Sequence, residues 1–388
     1  MSNIDESAGG QPPPDRTSAQ AYTEDSIEVL ECLEAVRRRP GMYFGSTGPK
    51  GQLQAVLEAI DNVVDEHLAG FATTLMVSRD DNGWFTIADD GGGIPNAAEP
   101  RIWEAVFGTL HFSRCRHDEP YHVHSGPFGV GIAALNAVCL RFAVRVEQAG
   151  RCFEQTFHRG EPMGEPIEMG RTTRSGTRLR FVLDPEIFEG TFPTAAFTQH
   201  LRTIAALNPR LAVHLDGEDC SEPEGLVGYG RAGRADHAMV LRSRRVWVRI
   251  DGVDLQVATL QSMPHEPNFA FDSLSVWVNH GVIEKGSPFR PLNAWLHKER
   301  TSGRSTDVLV GMLLPTATYE GRIKSELNNP EVEPLVARIL RAMDAVPRHL
   351  ETLLDGSAER TQVLLDWAQQ NRVPDIVEVL SASNALRD

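Results

Sequence analysis

Glu58, Asn62 and Asp65 stand at positions i, i+4 and i+7 of one segment. In a helix that spacing puts all three side chains on one face. A carboxylate beside an amide oxygen and a second carboxylate suits magnesium bound alongside phosphate oxygens, and Glu58 can take a proton from an attacking water. The same pattern also describes a solvated acidic face, and spacing alone leaves both readings open. Asp89-Asp90-Gly91-Gly92-Gly93-Ile94-Pro95 is a second group. Its three glycines let backbone approach a ligand closely, and Asp89 can accept a hydrogen bond from an exocyclic amine such as that of adenine. By itself it is also a turn with a flexible tip. Gly126-Pro127-Phe128-Gly129-Val130-Gly131 is a third. Backbone N–H groups at a helix start bind phosphate. The segment lacks the Gly-Lys-Ser/Thr ending of a P-loop and follows no strand of a βαβ unit.

The elements that must position these groups follow from periodicity. Leu53, Val56, Leu57, Ile60, Val63 and Val64 predict an amphipathic helix over 52–68, its apolar stripe opposite Glu58. Thr74 to Ser78 and Trp84 to Ala88 read as strands joined by the turn Asp81-Asn82-Gly83. Residues 101–124 read as one short helix plus an irregular polar segment, and a helix starts near Gly129. Strands follow at 141–148, 151–157 and 176–182. A helix layer over a mainly antiparallel sheet is an α+β pattern. Ser26 can cap a helix through Val29, Leu30, Leu33 and Val36 that ends before Arg39-Pro40-Gly41. Beyond about 210, strand-like runs at 211–215, 238–250, 253–259, 274–279 and 307–315 alternate with a few helices. The tail from 332 reads as helices broken near Pro347, Gly356 and Pro374. The expected organisation is a disordered segment at 1–21, a first domain at 22–200, a second at 201–332 and a helical tail at 333–388.

The 388 residues carry a formal net charge of −15. That argues against a whole surface that grips DNA. Arg242, Arg244, Arg245 and Arg249 cluster on one strand-like stretch, either a solvated face or a phosphate track. Five scattered cysteines include no C-x-x-C pair, which suggests reduced thiols in a cytoplasmic protein. No apolar run reaches the length of about 18 residues that a membrane span needs. The acidic, polar start has no apolar core of a signal peptide.

The order and spacing of the three groups resemble the GHKL (Bergerat) ATP-binding fold, shared by histidine kinases and type IIA topoisomerase B subunits. The likeness goes further. Arg37 through Gly45 resembles a segment of the gyrase and topoisomerase IV B subunits. So does Glu58 through Gly70, and so do Asp89 through Pro95, Leu110-His111, Leu135-Asn136-Ala137 and Gly176-Thr177. The resemblance is strong over 22–182 and traceable to about 332. It implies a GHKL ATPase sandwich followed by a transducer domain of the ribosomal S5 domain 2-like type. It further implies ATP and Mg²⁺ as ligands, with Glu58 as general base and Asn62 as magnesium ligand. Asp89 would bind the adenine amine, with Thr177 linked to it through water. Gly129, Val130 and Gly131 would supply phosphate-binding amides. Asp65, Gly93, Ile94 and Pro95 would line the site. Tyr22 would reach the partner subunit's nucleotide, Tyr121 would contact ATP, and Lys324 would meet the γ-phosphate.

Several positions depart from the family pattern. Gly92 replaces an arginine that pairs with the position of Glu66, so that ion pair is lost. Cys115 replaces a lid lysine, Phe128 a phosphate-loop histidine, and Arg322 a glutamine; Ser113 and Arg114 replace lid glycines. Nothing after 332 resembles the TOPRIM or cleavage domains, so strand breakage is expected only with a cleavage subunit in trans. Two functions follow. One is an ATP-hydrolysing clamp of DNA topoisomerase type that forms a homodimer on ATP and can enclose a DNA duplex. The other is a slow or non-catalytic ATP-read regulatory switch that pairs with another protein, such as a full-length topoisomerase B subunit.

Overall fold

The computed structural model describes residues 32–110, 130–233, 240–250, 253–262, 273–300, 305–314, 317–318, 326–354 and 358–382. The chain opens with helices α1 (Cys32–Arg38), α2 (Gly41–Phe44) and α3 (Pro49–Leu68), then strands β1 (Thr74–Arg79) and β2 (Phe85–Asp89). Helix α4 (Pro100–Trp103) continues as one π-helical turn at Glu104–Gly108. Helix α5 (Gly131–Val138) leads into β3 (Cys139–Gln148), β4 (Arg151–His158), β5 (Glu161–Pro162), β6 (Ile167–Arg171) and β7 (Gly176–Leu183). Helix α6 (Thr194–Leu207), β8 (Ala212–Leu215) and β9 (Glu218–Asp219) complete this half.

Among the described residues nine strands form one sheet, ordered β5-β4-β3-β7-β2-β1-β8-β9 with β6 beside β4. Its pairs are antiparallel except β1 with β8. One face is covered by α3, α5 and α6. Alternation decides which side chains go there: Leu75, Val77, Phe85, Ile87, Val144, Val146, Leu179 and Phe181 point into the core. Phe85 stacks on Phe181 at 5.5 Å and meets Phe192 edge-on at 4.9 Å.

Helix α7 (Leu226–Ala232) leads to a second sheet. Its strands are β10 (Val240–Ile250), β11 (Val253–Ser262), β12 (Ser273–Val278) and β13 (Gly281–Ile283). A short β14 (Lys285–Gly286), helix α8 (Phe289–Arg300) and then β15 (Ser305–Leu313) follow. The order of the second sheet is β10-β11-β15-β12-β13, and β14 pairs separately with β16 (Glu326–Leu327). Helices α9 (Val332–Ala345), α10 (Ala358–Gln370) and α11 (Pro374–Ala382) share one apolar core with this sheet. A third cluster joins the halves: Ala206 and Leu207 of α6 meet Leu226, Leu260, Trp277 and Leu309. Among the described residues no helix is long and apolar enough to cross a membrane.

Candidate functional site

Helix α3 starts with Pro49 in its first turn and ends at left-handed Gly70, where Phe71 N–H returns to the Glu66 carbonyl at 2.9 Å. Ala55, Val56, Ala59, Ile60, Val63 and Val64 are buried. That burial fixes the helix rotation and leaves Glu58, Asn62 and Asp65 on the other side. Gln54 Nε2 donates to Glu58 Oε1 at 3.1 Å. Glu58 Oε2 lies directly against Gly131, where a side-chain carbon would overlap it. A side chain at the first residue of α5 would displace the Glu58 carboxylate, which the positive end of that helix faces. Asn62 Nδ2 donates to the Glu58 carbonyl at 2.7 Å. Its Oδ1 has no partner among the described residues and is exposed. A single amide oxygen next to a carboxylate fits a hard cation that arrives with phosphate oxygens. Among the described residues no three His, Cys, Asp or Glu side chains could hold a metal by themselves.

Asp89 ends β2. Its Oδ1 accepts the N–H of Gly91 at 2.8 Å and of Thr177 at 3.2 Å. Burial pushes its carboxyl up to about 6, against the pull of those two amides. Gly176 packs so closely on the Asp89 carbonyl that no side chain fits there. The family resemblance implies a water between Thr177 and Asp89; here the Thr177 amide bonds Asp89 directly. The glycine loop is anchored rather than a loose tip. Asp90 accepts Thr73 N–H at 2.8 Å, Thr73 Oγ1–H at 2.5 Å and Thr74 N–H at 2.8 Å. Gly93 is left-handed at φ 67°, and a Cβ there would stand 2.8 Å from the Glu147 carbonyl. Ile94 is buried and Pro95 exposed. The departure at Gly92 has a local replacement: its N–H donates to Glu66 Oε2 at 3.1 Å, so backbone holds the carboxylate where the family pattern has an arginine.

Val130 caps α5, which buries Ala133, Ala134, Leu135 and Asn136. Asn136 Nδ2 donates to the Phe107 carbonyl at 3.0 Å and fixes the helix to the π-helical turn. Asp65 sits half-buried on α3. Tyr22, Tyr121, Gly129 and Lys324 lie outside the described residues, as do Ser113, Arg114, Cys115, Phe128 and Arg322. The arginines of β10 are committed within the fold. Arg242 pairs with Glu351, Arg245 donates to the Glu224 carbonyl at 3.1 Å, and Arg249 pairs with Asp254 at 2.5 Å. Arg244 is 3% exposed and reaches Asp344 at 3.4 Å. Sequence reasoning missed Gln54, which is recognisable only as the residue one turn before Glu58.

The family model described as histidine kinase-, DNA gyrase B-, and HSP90-like ATPase matches residues 49–187, the stretch that holds Glu58, Asp89, Gly131 and Thr177. The DNA gyrase B subunit of Thermotoga maritima is 30% identical over 375 residues, covering 86% of this chain. The chain is a homologue of the ATPase region of gyrase B. The gyrase B subunit of Archaeoglobus fulgidus is 31% identical over 374 residues, covering 88% of this chain. The chain spans 59% of the length of each of these relatives. The fold resembles the 43K ATPase domain of Thermus thermophilus gyrase B, solved with an aminocoumarin. That match has a TM-score of 0.65 at 24% identity and covers 92% of this chain and 94% of that one. The α+β fold is therefore that of a GHKL ATPase layer with a transducer region, and residues 49–187 carry the ATPase family match.

Proposed function

We propose that this gyrase B homologue binds Mg–ATP between α3, the 89–95 loop and the start of α5, hydrolyses it, and uses the cycle to close and open a homodimeric clamp. The observation that carries the reading is the placement of Glu58 against Gly131, from segments 73 residues apart in sequence. Glu58, held by Gln54, takes the proton of the attacking water. Asp89, oriented by two amides, accepts the adenine amine. The amides of Gly129, Val130 and Gly131 receive the phosphates at the helix N-terminus. Asn62 Oδ1 would hold Mg²⁺, which when bound neutralises phosphate charge. Asp65, Gly93, Ile94 and Pro95 shape the wall of the site, and Thr177 fixes Asp89. Lys324 would reach the γ-phosphate from the transducer, Tyr121 would cover the nucleotide, and Tyr22 would cross to the partner's nucleotide.

The ATP-binding unit, transducer and tail divide at about 200 and 332 in this reading, with β8 and β9 returning to the first sheet. ATP that binds only the closed state shifts the clamp toward its dimer. A DNA duplex is the cargo and a topoisomerase cleavage subunit the partner in trans. The test is ATP turnover with and without DNA, in wild type and Glu58→Ala, with the dimer followed by sedimentation. DNA-stimulated turnover lost in Glu58→Ala supports the clamp enzyme. Dimerisation on ATP without turnover favours the ATP-read switch instead. No uptake of Mg–ATP by folded protein ends the reading.

A further inference from the structure

The nine-stranded sheet has a second face, turned away from α3 and α5. One row of cross-strand neighbours crosses it: His214, Met76, Ala88, Arg178, Arg145 and Glu154. Their neighbours along each strand, Leu75, Val77, Ile87, Val144, Val146 and Leu179, fill the core, so this row points outward. Arg145 and Arg178 stand directly opposite each other, and like charges at such a pair repel. Arg145 is compensated by Glu147 at 3.0 Å. Arg178 and, in the turn between β6 and β7, Arg174 have no ion pair among the described residues.

A cavity of about 500 Å³ lies over this row, lined by Met76, Ala88, Arg145, Arg174, Ser175 and Arg178 and reaching the Asp89–Thr177 rim. A second, of about 450 Å³, adjoins it through Arg145, Glu147 and Arg174 and adds Arg171, Thr172 and Thr173. Three carboxylates, Glu147, Asp90 and Asp89, share the lining of the first cavity, and each is bonded to other donors. Glu147 bonds Arg145, Asp90 bonds Thr73 and Thr74, and Asp89 bonds two amides. The turn itself is fixed: Arg174 N–H donates to Thr172 Oγ1 at 3.1 Å and Ser175 Oγ reaches the Asp90 carbonyl at 3.5 Å.

We propose that this groove, on the sheet face away from Glu58 and Gly131 and meeting the ATP pocket only at the Asp89–Thr177 rim, is a binding site for the phosphates of a small polyphosphorylated molecule. Guanidinium groups without carboxylate partners, beside several hydroxyls, are donors of the kind that phosphate oxygens take. The volume is that of a small-molecule site, and Met76 with Ala88 gives an apolar floor on which a base can rest. A chain of net charge −15 repels a long polyanion. A few converging arginines in a concavity act against that field only at short range, which favours a compact anion over a nucleic acid. The inference does not rest on the ATPase reading.

The probe is inorganic triphosphate, titrated by calorimetry into the full chain with a non-hydrolysable ATP analogue at saturation. The expected result is uptake of one equivalent, weakened at least about tenfold in Arg174→Gln/Arg178→Gln while affinity for the analogue stays within about twofold. Both arginines are exposed, and an unchanged unfolding midpoint checks that the double variant folds. If the analogue does not bind, the same titration compared between wild type and double variant still tests the groove. Guanosine triphosphate separates the sources. Tighter binding than triphosphate, lost in Met76→Ser, assigns a nucleotide; equal binding assigns a free polyphosphate. Equal triphosphate affinity in wild type and double variant overturns the proposal. So does no uptake by wild type, or displacement of triphosphate by a single-stranded oligonucleotide at lower concentration.

Discussion

The two sheets of this molecule use their charged side chains in opposite ways. In the five-stranded sheet the charges are turned inward or toward neighbours. Arg244 lies under Trp295 at 5.4 Å and between Thr259 and Asp344, and Arg242 and Arg249 each close on a carboxylate. In the nine-stranded sheet the backbone does more of the holding. Amides of Gly91, Gly92 and Thr177 grip Asp89 and Glu66, and Arg174 and Arg178 are left over. The difference teaches where charge is left uncommitted: Arg174 and Arg178 on the first sheet have no ion pair among the described residues, while the arginines of the second are spent on its own packing. The junction is hydrogen-bonded as well as apolar. Gln256 Nε2 donates to the Leu207 carbonyl at 2.7 Å, and Asn208 Nδ2 meets His280 Nε2 at 3.0 Å. Burial drives His280 down to about 3, so it stays neutral between the halves.

The contrast breaks first at Glu58. Glu58→Ala should lower ATP turnover by about 100-fold or more, the usual range for a lost general base, with nucleotide affinity nearly unchanged. Steady-state kinetics and direct binding separate the two, and turnover within threefold of wild type would remove Glu58 from the chemistry. Arg244→Ala should cost about 2–4 kcal/mol of stability, because removing a 3% exposed side chain packed on Trp295 leaves a cavity. Denaturant unfolding measures it, and nucleotide affinity should not follow.

Asp89→Asn should weaken nucleotide binding about tenfold, since a charge-assisted hydrogen bond becomes a neutral one. Asp89 also carries a pH signature. Its carboxyl is raised from 3.8 to about 6, so the folded state holds the proton more tightly than the unfolded chain. Its contribution to stability is complete below 3.8 and is lost as pH rises through about 6. The stability of wild type relative to Asp89→Asn should fall across that window, while nucleotide binding tightens as the carboxylate ionises. A flat difference from pH 4 to pH 7 would contradict the buried carboxyl. The smallest effect sharpens the comparison: Arg178→Gln should change stability by less than about 0.5 kcal/mol, against the large loss at Arg244. A loss as large as that at Arg244 would mean Arg178 is structural too.

Much of the fold is legible in the sequence because its signals are local. Apolar spacing predicts a helix at 52–68 and the structure has Pro49–Leu68; alternation predicts strands at 151–157 and 176–182 and they run Arg151–His158 and Gly176–Leu183. Helix α6 (Thr194–Leu207) runs across the boundary expected at about 200: Phe197, Leu201 and Ile204 form a stripe in the first core, while Ala206 and Leu207 belong to the junction. Periodicity also does not place β8 beside β1, a pairing set by sequence-distant strands.

By itself the sequence determined the residue types that matter, the helix face carrying Glu58 and Asn62, and the glycines at 93 and 131 that leave room for their neighbours. Those are consequences of helical pitch and of side-chain size. Tertiary structure decided the rest: that Glu58 meets Gly131, that Gly92 backbone replaces a family arginine, and that Arg244 is buried while Arg178 is not. Each depends on which distant segment arrives next to it, and burial and hydrogen-bond partners are properties of that encounter rather than of any one stretch of chain.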